Sequence, residues 1–493
     1  MATLKQLYQL VHSLDKAEKK HVSILADALG GKARTRYTNA IRIINKQKEF
    51  DAIKLKKKLS ADITGMSLSE ANDYIFHFIC KALVSHSSPS GANLGLLKEM
   101  ILVETLVNKG LFEIAEKYLT PLLVRLQNGN SFGLLTRGLE LKSIITASKQ
   151  QSKPDYEARL QILNERTKTA QENLLFLEIM RMNNRIYELA HSIGEPRETA
   201  HLQRYENIYR SPVWQIPYTD VSNQVFIMFA PLKVDLTNMV LGSDAAVNEG
   251  LKALKEFRSR FKLSGHYVLA FYLLDSTISD CIRSRNEKAM LPLLKELRDL
   301  LPYAKQHAVA QKIQAKLMYA ELVLHIFNKT YSKGIEELQQ WMKRKETWYH
   351  APLGYINLLM GARLYYLHHL PEKALDYLNL MRPFEKEMRE SILLAYRFLH
   401  LLCYSQLDNP SLVYSAARSI YKSLLKQEKL YTPERAILRF AKASGTIEKM
   451  RKNIQELYTT LNQLQHDPYH IPFFLFADYM EWVSAELKQK KLR

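Results

Sequence analysis

The chain has 493 residues, of which 47% are hydrophobic and 24% charged, and this composition excludes a protein dominated by disorder. Glycine and proline are scarce, with 17 and 16 residues. Because both interrupt helices, their scarcity favours long helices joined by short turns.

The positive charge is concentrated at the N-terminus. The chain carries a net charge of +20, and its first 60 residues hold 11 Lys and 3 Arg against 3 Asp and 2 Glu, which is +9. The pattern leaves two interpretations open, a solvated basic face and a surface that contacts phosphates. The candidate contacts to an anionic partner are Arg34, Arg36, Arg42, Lys46, Lys48, Lys54, Lys56, Lys57 and Lys58.

Residues 1–86 are predicted to form a basic N-terminal helical module. The chain opens with apolar residues three or four positions apart, which indicates an amphipathic helix and not a signal peptide. A later helix should end at Gly30-Gly31, where a left-handed residue is easily accommodated. Ser67-Leu68-Ser69-Glu70 has the sequence of a capping box. A helix-turn-helix alignment across Gly30 fails because it places Arg36 where a buried residue is needed.

Long helices in pairs are predicted after the linker at residues 85–91. Residues 92–210 form the first helical-repeat arm, in which Asn108-Lys109-Gly110 makes a turn between two helices. Residues 211–244 contain three prolines within a short stretch and are predicted to be an irregular connector. Residues 245–493 form the second arm and end in a C-terminal capping helix.

The second arm shows an internal repeat. A small residue stands near the start of the second helix of each pair, at separations of 45, 40 and 42 residues, and an apolar residue follows it four positions later. A fixed period near 40 is typical of an α-solenoid of stacked antiparallel helix pairs. We expect the small residue to let the two helices of a pair approach closely. These small residues are Ala289, Gly334, Ala374 and Ala416.

The segment LLMGARLYYLHHLPEKALDYL resembles a tetratricopeptide repeat (TPR). Its small, aromatic, small and large positions hold Ala362, Tyr365, Ala374 and Leu378. The tryptophan and proline positions of the repeat hold Leu358 and Lys386, and the period is about 40 instead of 34. In addition, SLDKAEKKHVSIL followed by INKQKEFDAIKLKKKL is similar to the opening of a group of bacterial helical-repeat proteins. Both resemblances imply a TPR-like all-α fold, and neither implies an activity.

Every candidate catalytic or metal motif lacks a required residue. Gly30-Gly31-Lys32 has Ala26 and Ala33 where a phosphate loop needs glycine and a hydroxyl residue. His466 and His470 are four residues apart, but Pro468 between them predicts a loop and not a zinc-binding helix face. The three cysteines are far apart and contain no CxxC pair. The sequence therefore predicts no catalytic residue, cofactor or metal.

These observations favour a non-enzymatic scaffold that binds a protein or peptide on the concave face of the solenoid. A nucleic-acid-binding protein that uses the basic N-terminal helices is the alternative, and an enzyme with an unrecognised site is the second alternative. The longest apolar runs are too short to span a membrane, so we expect a cytoplasmic protein without a membrane span.

Overall fold

The computed structural model describes residues 4–14, 16–29, 31–47, 50–62, 67–86, 92–127, 131–149, 156–304, 307–343, 354–443, 447–467, 469–475 and 477–491. The chain is 86% helical and has no strand among these residues, which confirms the predicted all-α class. Two compact units are present, Met1–Thr169 and Ala170–Arg493. The division falls inside one long helix, Tyr156–Ser192.

Unit 1 contains two groups of packed helices, its first five helices and the next three. Its helices are α1 (Leu4–Ser13), α2 (Lys16–Leu29), α3 (Gly31–Asn45), α4 (Ala52–Asp62), α5 (Leu68–His86), α6 (Ala92–Asn108), α7 (Phe112–Gln127), α8 (Phe132–Lys149) and the first part of α9 (Tyr156–Ser192).

Two separate hydrophobic clusters stabilise unit 1. The first joins α1 to α5 through residues such as Leu7, Val11 and Ile44, and the second joins α6, α7 and α8 through residues such as Leu119. The predicted capping box begins α5, because the Glu70 backbone N–H donates to Ser67 Oγ (3.2 Å) and the Ser67 N–H donates to Glu70 Oε2 (2.9 Å). The predicted linker at residues 85–91 lies mostly outside the described residues.

Unit 2 continues as a series of helix pairs. Its helices are α10 (Thr199–Tyr209), α11 (Asn223–Leu241), α12 (Ser243–Arg260), α13 (Leu263–Arg283), α14 (Glu287–Asp299), α15 (His307–Phe327), α16 (Tyr331–Lys343), α17 (Gly354–Leu367), α18 (Pro371–Met381), α19 (Glu390–Gln406), α20 (Pro410–Lys426), α21 (Thr432–Ala441), α22 (Ile447–Leu464), α23 (Ile471–Phe474) and α24 (Tyr479–Lys491).

The first helix of each pair in unit 2 also contacts the first helix of the next pair. In this way α11, α13, α15, α17 and α19 pack in series, and we call them the central row. All residues of α17 are buried or half-buried. The central row is therefore the core of unit 2.

The predicted connector differs from the observed structure in its second half. Residues 211–222 are irregular, with short 3₁₀ turns at Pro212–Gln215 and Tyr218–Asp220. Residues 223–241, however, form α11 with Pro231 inside it. A proline in a helix interior costs about 3 kcal/mol, and burial of apolar residues such as Phe226 and Phe229 offsets this cost. The predicted domain boundaries otherwise stay predictions.

The close approach predicted at small residues occurs at Gly334. A Cβ atom built on Gly334 would lie 2.8 Å from His325 Cβ, so α15 and α16 are in contact there, and Ala374 is likewise fully buried in α18. Ala289 and Ala416 are only half-buried, because Met290 and Ala417 occupy the buried positions next to them. The buried position is therefore displaced by one residue in both helices; it holds the small Ala417 in α20 but the larger Met290 in α14.

The turns that follow α13, α15, α17 and α19 share one geometry. Each places a non-glycine residue in the left-handed region, at Arg285, Lys329, His369 and Asp408. The N–H of the following residue donates to the carbonyl five positions back, as in Asn286 to Cys281 (2.8 Å) and Thr330 to His325 (2.9 Å). This is a Schellman motif, in which glycine is usual.

Because these residues carry a Cβ, the turns are strained, and glycine should relieve the strain. The left-handed conformation costs a non-glycine residue about 1–2 kcal/mol. Glycine avoids this cost, but its greater conformational freedom in the unfolded chain lowers the free energy of unfolding by about 0.5–1 kcal/mol. We therefore expect Lys329→Gly, where φ is 54°, to raise the free energy of unfolding by about 0.5–1 kcal/mol. Lys333→Gly, inside α16, should lower it by a similar amount. Urea unfolding of both variants tests this, and a loss of stability in Lys329→Gly would contradict it.

Candidate functional site

The basic surface of the N-terminal module lies where the charge distribution predicted it. Arg42, Lys46, Lys54 and Lys56–Lys58 are all exposed, and none of them forms an ion pair with an acidic residue among the described residues. Burial of Leu55 and Leu59 orients α4 so that its lysines face solvent. The side chains of Arg34, Arg36 and Lys48 lie outside the described residues.

A cavity of about 360 Å³ lies between α2 and α3 within this basic surface. Its described lining contains three cations and no carboxylate: Lys19, Ser23, Thr38, Ile41, Arg42, Asn45 and Lys46. Lys19 Nζ donates to Asn45 Oδ1 (3.1 Å) and so links the two helices. Of the predicted candidates whose side chains are described, Arg42 and Lys46 line this cavity.

Helical spacing explains why these side chains converge. Thr38, Ile41 and Asn45 are three and four residues apart and share one face of α3, as Lys19 and Ser23 share one face of α2. On another side of α3, Tyr8 OH donates to Gln47 O (3.2 Å) and His12 Nε2 lies 3.2 Å from Ile44 O. The spacing of Lys19 and Ser23 was visible in the sequence, but their pairing with α3 depends on tertiary packing.

Unit 1 also exposes large apolar side chains. Three of its helices expose large apolar side chains three or four residues apart, and Ile101, Tyr118 and Leu160 are 56%, 50% and 57% exposed. We call this set the apolar surface of unit 1. Its members are Leu97 and Ile101 on α6, Ile114 and Tyr118 on α7, and Tyr156, Leu160 and Leu163 on α9.

Surface charges of the same helices pair with one another. Arg125 on α7 forms an ion pair with Glu99 on α6, and Arg137 on α8 forms one with Glu104 on α6. Lys142 on α8 lies 3.1 Å from a carboxylate oxygen on α9. These pairs connect α6 with α7 and α8, and α8 with α9.

A polar cluster lies within the central row, but its geometry does not produce a nucleophile. Lys316 Nζ is 2.6 Å from Ser279 Oγ, as in a serine–lysine pair, which requires a neutral lysine to act as base. Here Asp275 Oδ1 lies 2.8 Å from the same Nζ and stabilises its charged form. The Ser279 hydroxyl donates to Asp275 O (2.8 Å), so these three residues support the fold.

Asp280 is a buried carboxyl of this cluster with a raised pKa. Its side chain is 1% exposed, and Arg283 Nη1 lies 3.1 Å from its Oδ1. Burial raises the pKa of Asp280 to about 7, the charge of Asp235 on α11 also raises it, and Arg283 and Lys316 oppose the increase. Asp280 Oδ2 has no hydrogen-bond partner among the described residues. Folding therefore favours the protonated form of the Asp280 carboxyl relative to the unfolded chain.

This arrangement predicts a pH-dependent effect of Asp280→Asn. A carboxyl whose pKa is raised on folding stabilises the protein below its unfolded pKa of about 3.9, and the stability is lost as pH rises through the folded pKa. Asparagine removes the ionisation. The free energy of unfolding of the variant, minus that of the parent, should therefore rise by roughly 1–3 kcal/mol as the pH is raised from about 5 to about 8. Urea unfolding across this range measures the difference, and a constant or decreasing difference would contradict the prediction.

The C-terminal segment Ile471–Lys491 covers side chains of the central row. Arg363 on α17 donates to both carboxylate oxygens of Asp478 (2.7 Å each) and to Leu475 O (2.6 Å). Ser405 on α19 donates to Glu486 Oε1 (2.7 Å) and accepts from Trp482 Nε1 (3.1 Å). The chain itself therefore satisfies these polar groups.

The two ends of unit 2 are also joined. Arg197, before α10, donates to Glu434 Oε1 on α21 (2.7 Å), and its guanidinium lies 4.6 Å from the centre of the Tyr431 ring. Glu434 is fully buried. Desolvation raises the pKa of Glu434, and Arg197 opposes the increase. A buried pair of this kind holds the loop before α10 against α21.

The remaining candidate residues do not converge. His466 is exposed and His470 is buried, in the loop that Asp467 organises by accepting from Tyr469 N–H (2.9 Å). Across the described part of the chain, no three His, Cys, Asp or Glu side chains are placed to bind one metal ion. Burial raises the pKa of the Cys281 and Cys403 thiols to about 12, which disfavours the reactive thiolate.

One described helix, α11, is apolar and long enough to cross a membrane by length and composition alone. The core helix of a soluble protein passes the same test, and packing of α11 against α10, α12 and α13 accounts for its buried apolar residues. This is weak evidence for a membrane span.

No family model, curated protein or solved structure matches this chain.

Proposed function

We propose that this chain is a non-enzymatic scaffold that binds a protein partner through the apolar surface of unit 1. The observation that carries the proposal is the exposure of large apolar side chains at helical spacing on α6, α7 and α9. Monomeric soluble proteins rarely expose extensive apolar patches, and such patches mark interaction surfaces. Because the surface is formed by helices, an amphipathic helix that presents a complementary apolar face is the partner segment it fits.

The position of this surface differs from the position expected from sequence. The sequence placed the partner on the concave face of residues 245–493. In unit 2, Arg363, Phe398 and Ser405 of the central row contact the C-terminal segment. A partner at these residues would have to displace buried ion pairs and aromatic contacts, whereas the apolar surface of unit 1 already faces solvent.

We further propose that the helix pairs of unit 2 form a TPR-like α-solenoid. The Schellman turns support this, because Arg285, Lys329, His369 and Asp408 are separated by 44, 40 and 39 residues. The contacts between successive first helices also support it, since repeats of a solenoid contact only their neighbours. In this proposal unit 1 carries the binding surfaces.

Matched triple variants test the proposed protein-binding surface. Ile101→Gln, Ile114→Gln and Leu160→Gln together should reduce partner binding at least tenfold, because one buried apolar side chain contributes about 1.5–3 kcal/mol. The control triple Leu241→Gln, Leu291→Gln and Leu425→Gln alters residues of similar exposure (57%, 54% and 57%) in unit 2.

The partner is first captured from the native cell after nuclease treatment, identified by mass spectrometry and then purified. Its affinity for each variant is measured by calorimetry. Equal losses in the two triple variants, or no loss in either, would contradict the proposed surface. Circular dichroism establishes that both variants remain folded.

Nucleic-acid binding is the second candidate function, and the basic surface with its cavity favours it. Six exposed cations without acidic partners among the described residues provide the charge that phosphate backbones require. A solvated basic face would also attract polyanions weakly, so weak attraction at low salt does not support this function. Binding that persists near physiological ionic strength (about 0.15 M) does support it.

A further inference from the structure

The cavity between α2 and α3 has the composition of a phosphate site. Lys19 and Arg42 come from different helices, and Lys46 extends the positive edge at the end of α3. Ser23 and Asn45 add neutral polar groups, and no carboxylate occurs in the described lining. Lysine and arginine side chains are the usual phosphate ligands of proteins. Three cations without an internal counter-ion leave a charge that an external anion can neutralise.

The cavity is also larger than one phosphate group requires. Its volume of about 360 Å³ falls in the range of small-ligand sites. Ile41 and the methylene groups of the two lysines provide apolar wall, against which a sugar or base can pack. The site therefore fits a nucleotide unit better than an isolated ion.

We propose that this cavity binds one backbone phosphate of a nucleic acid together with its adjoining nucleoside. The inference rests on the second candidate function and assigns its specific contact. A polymer is favoured over a free nucleotide because cations continue outside the cavity. Lys54 and Lys58 are four residues apart on the exposed side of α4, and α4 packs directly against α3. A single phosphate would leave these charges unused, whereas successive phosphates neutralise them.

Two triple variants of equal charge separate a specific cavity from general attraction. Lys19→Gln, Arg42→Gln and Lys46→Gln remove the cations of the cavity. Lys5→Gln, Lys16→Gln and Lys20→Gln remove three exposed cations of α1 and α2 that do not line the cavity, and serve as the control. Fluorescence anisotropy measures the affinity of the full chain for a labelled oligonucleotide of about 20 residues near 0.15 M salt. Circular dichroism and thermal unfolding show whether each variant is folded.

We expect the cavity variant to bind the oligonucleotide at least about tenfold more weakly than the parent. The slope of its log affinity against log salt should also become less steep, by the amount that about one phosphate contact contributes. The control variant should lose about threefold or less, because its cations are not part of the proposed site. Equal losses would overturn the cavity inference and leave general nucleic-acid binding in place. No binding by the parent chain at this salt would overturn both. Tighter binding of a phosphoserine peptide than of the oligonucleotide would overturn the nucleic acid as the ligand.

Discussion

Replacement of Asp478 by alanine should destabilise unit 2 by about 3–5 kcal/mol, because it leaves a buried guanidinium without its counter-ion. Arg363 is 4% exposed, and both of its bonds to Asp478 are 2.7 Å. Only the bond to Leu475 O would remain. Tryptophan fluorescence during urea unfolding reports on this unit, since Trp214, Trp341, Trp348 and Trp482 all lie within residues 170–493.

The double variant Arg363→Met with Asp478→Leu separates lost charge pairing from lost packing. Because both charges are removed together, it should recover most of the stability. Glu99→Ala, which breaks the exposed pair with Arg125, should change stability by about 1 kcal/mol or less. It lies in unit 1, so circular dichroism is the appropriate measurement. A small effect of Asp478→Ala would contradict the claim that the Arg363–Asp478 pair stabilises unit 2.

Replacement of Gly250 by valine should have the second-largest effect, roughly 3 kcal/mol of destabilisation through overpacking. The absence of a side chain at Gly250 lets α12 contact α13. A Cβ atom there would lie 2.8 Å from Thr277 Cγ2 and 3.0 Å from Thr277 Cβ. Since Thr277 is fully buried and its χ1 is restricted by branching, the helices must separate to accommodate valine.

Gly265→Val is the matched control, because a Cβ atom at Gly265 would meet nothing within 4 Å. Its effect should be about 0.5 kcal/mol or less. Adding Thr277→Ala to Gly250→Val removes the atoms in conflict and should restore part of the stability. If Gly250→Val and Gly265→Val unfold at the same urea concentration, a side chain at Gly250 does not disturb the contact between α12 and α13, and the prediction is wrong.

Local signals were the part of the fold that the sequence could predict. Ser67 and Glu70 form the predicted capping box because all of their bonds lie within one turn, and Gly334 marks a helix–helix contact. Lys329 and Arg285 gave no turn signal, because the left-handed conformation is imposed on them by the helices on either side.

Long-range contacts were beyond sequence reasoning. Arg363 and Asp478 are 115 residues apart, and neither residue type indicates its partner. The placement of the partner on the concave face of residues 245–493 came from analogy with helix-pair stacks and stays a prediction. The basic surface was predictable from charge counting, but the cavity within it requires α2 and α3 to pack face to face. Likewise, the sequence of α6 and α7 does not distinguish apolar residues of the core from apolar residues that face solvent. Only the packing of the helices separates the two groups.

Hydrogen–deuterium exchange of the full chain, with and without its purified partner, tests the central claim most directly. If the partner binds the apolar surface of unit 1, its addition should slow exchange in α6, in α7 and in residues 156–169 of α9, and leave α13, α15 and α17 unchanged. Protection confined to α13, α15 and α17, with α6 and α7 unaffected, would contradict the claim and return the binding site to the central row.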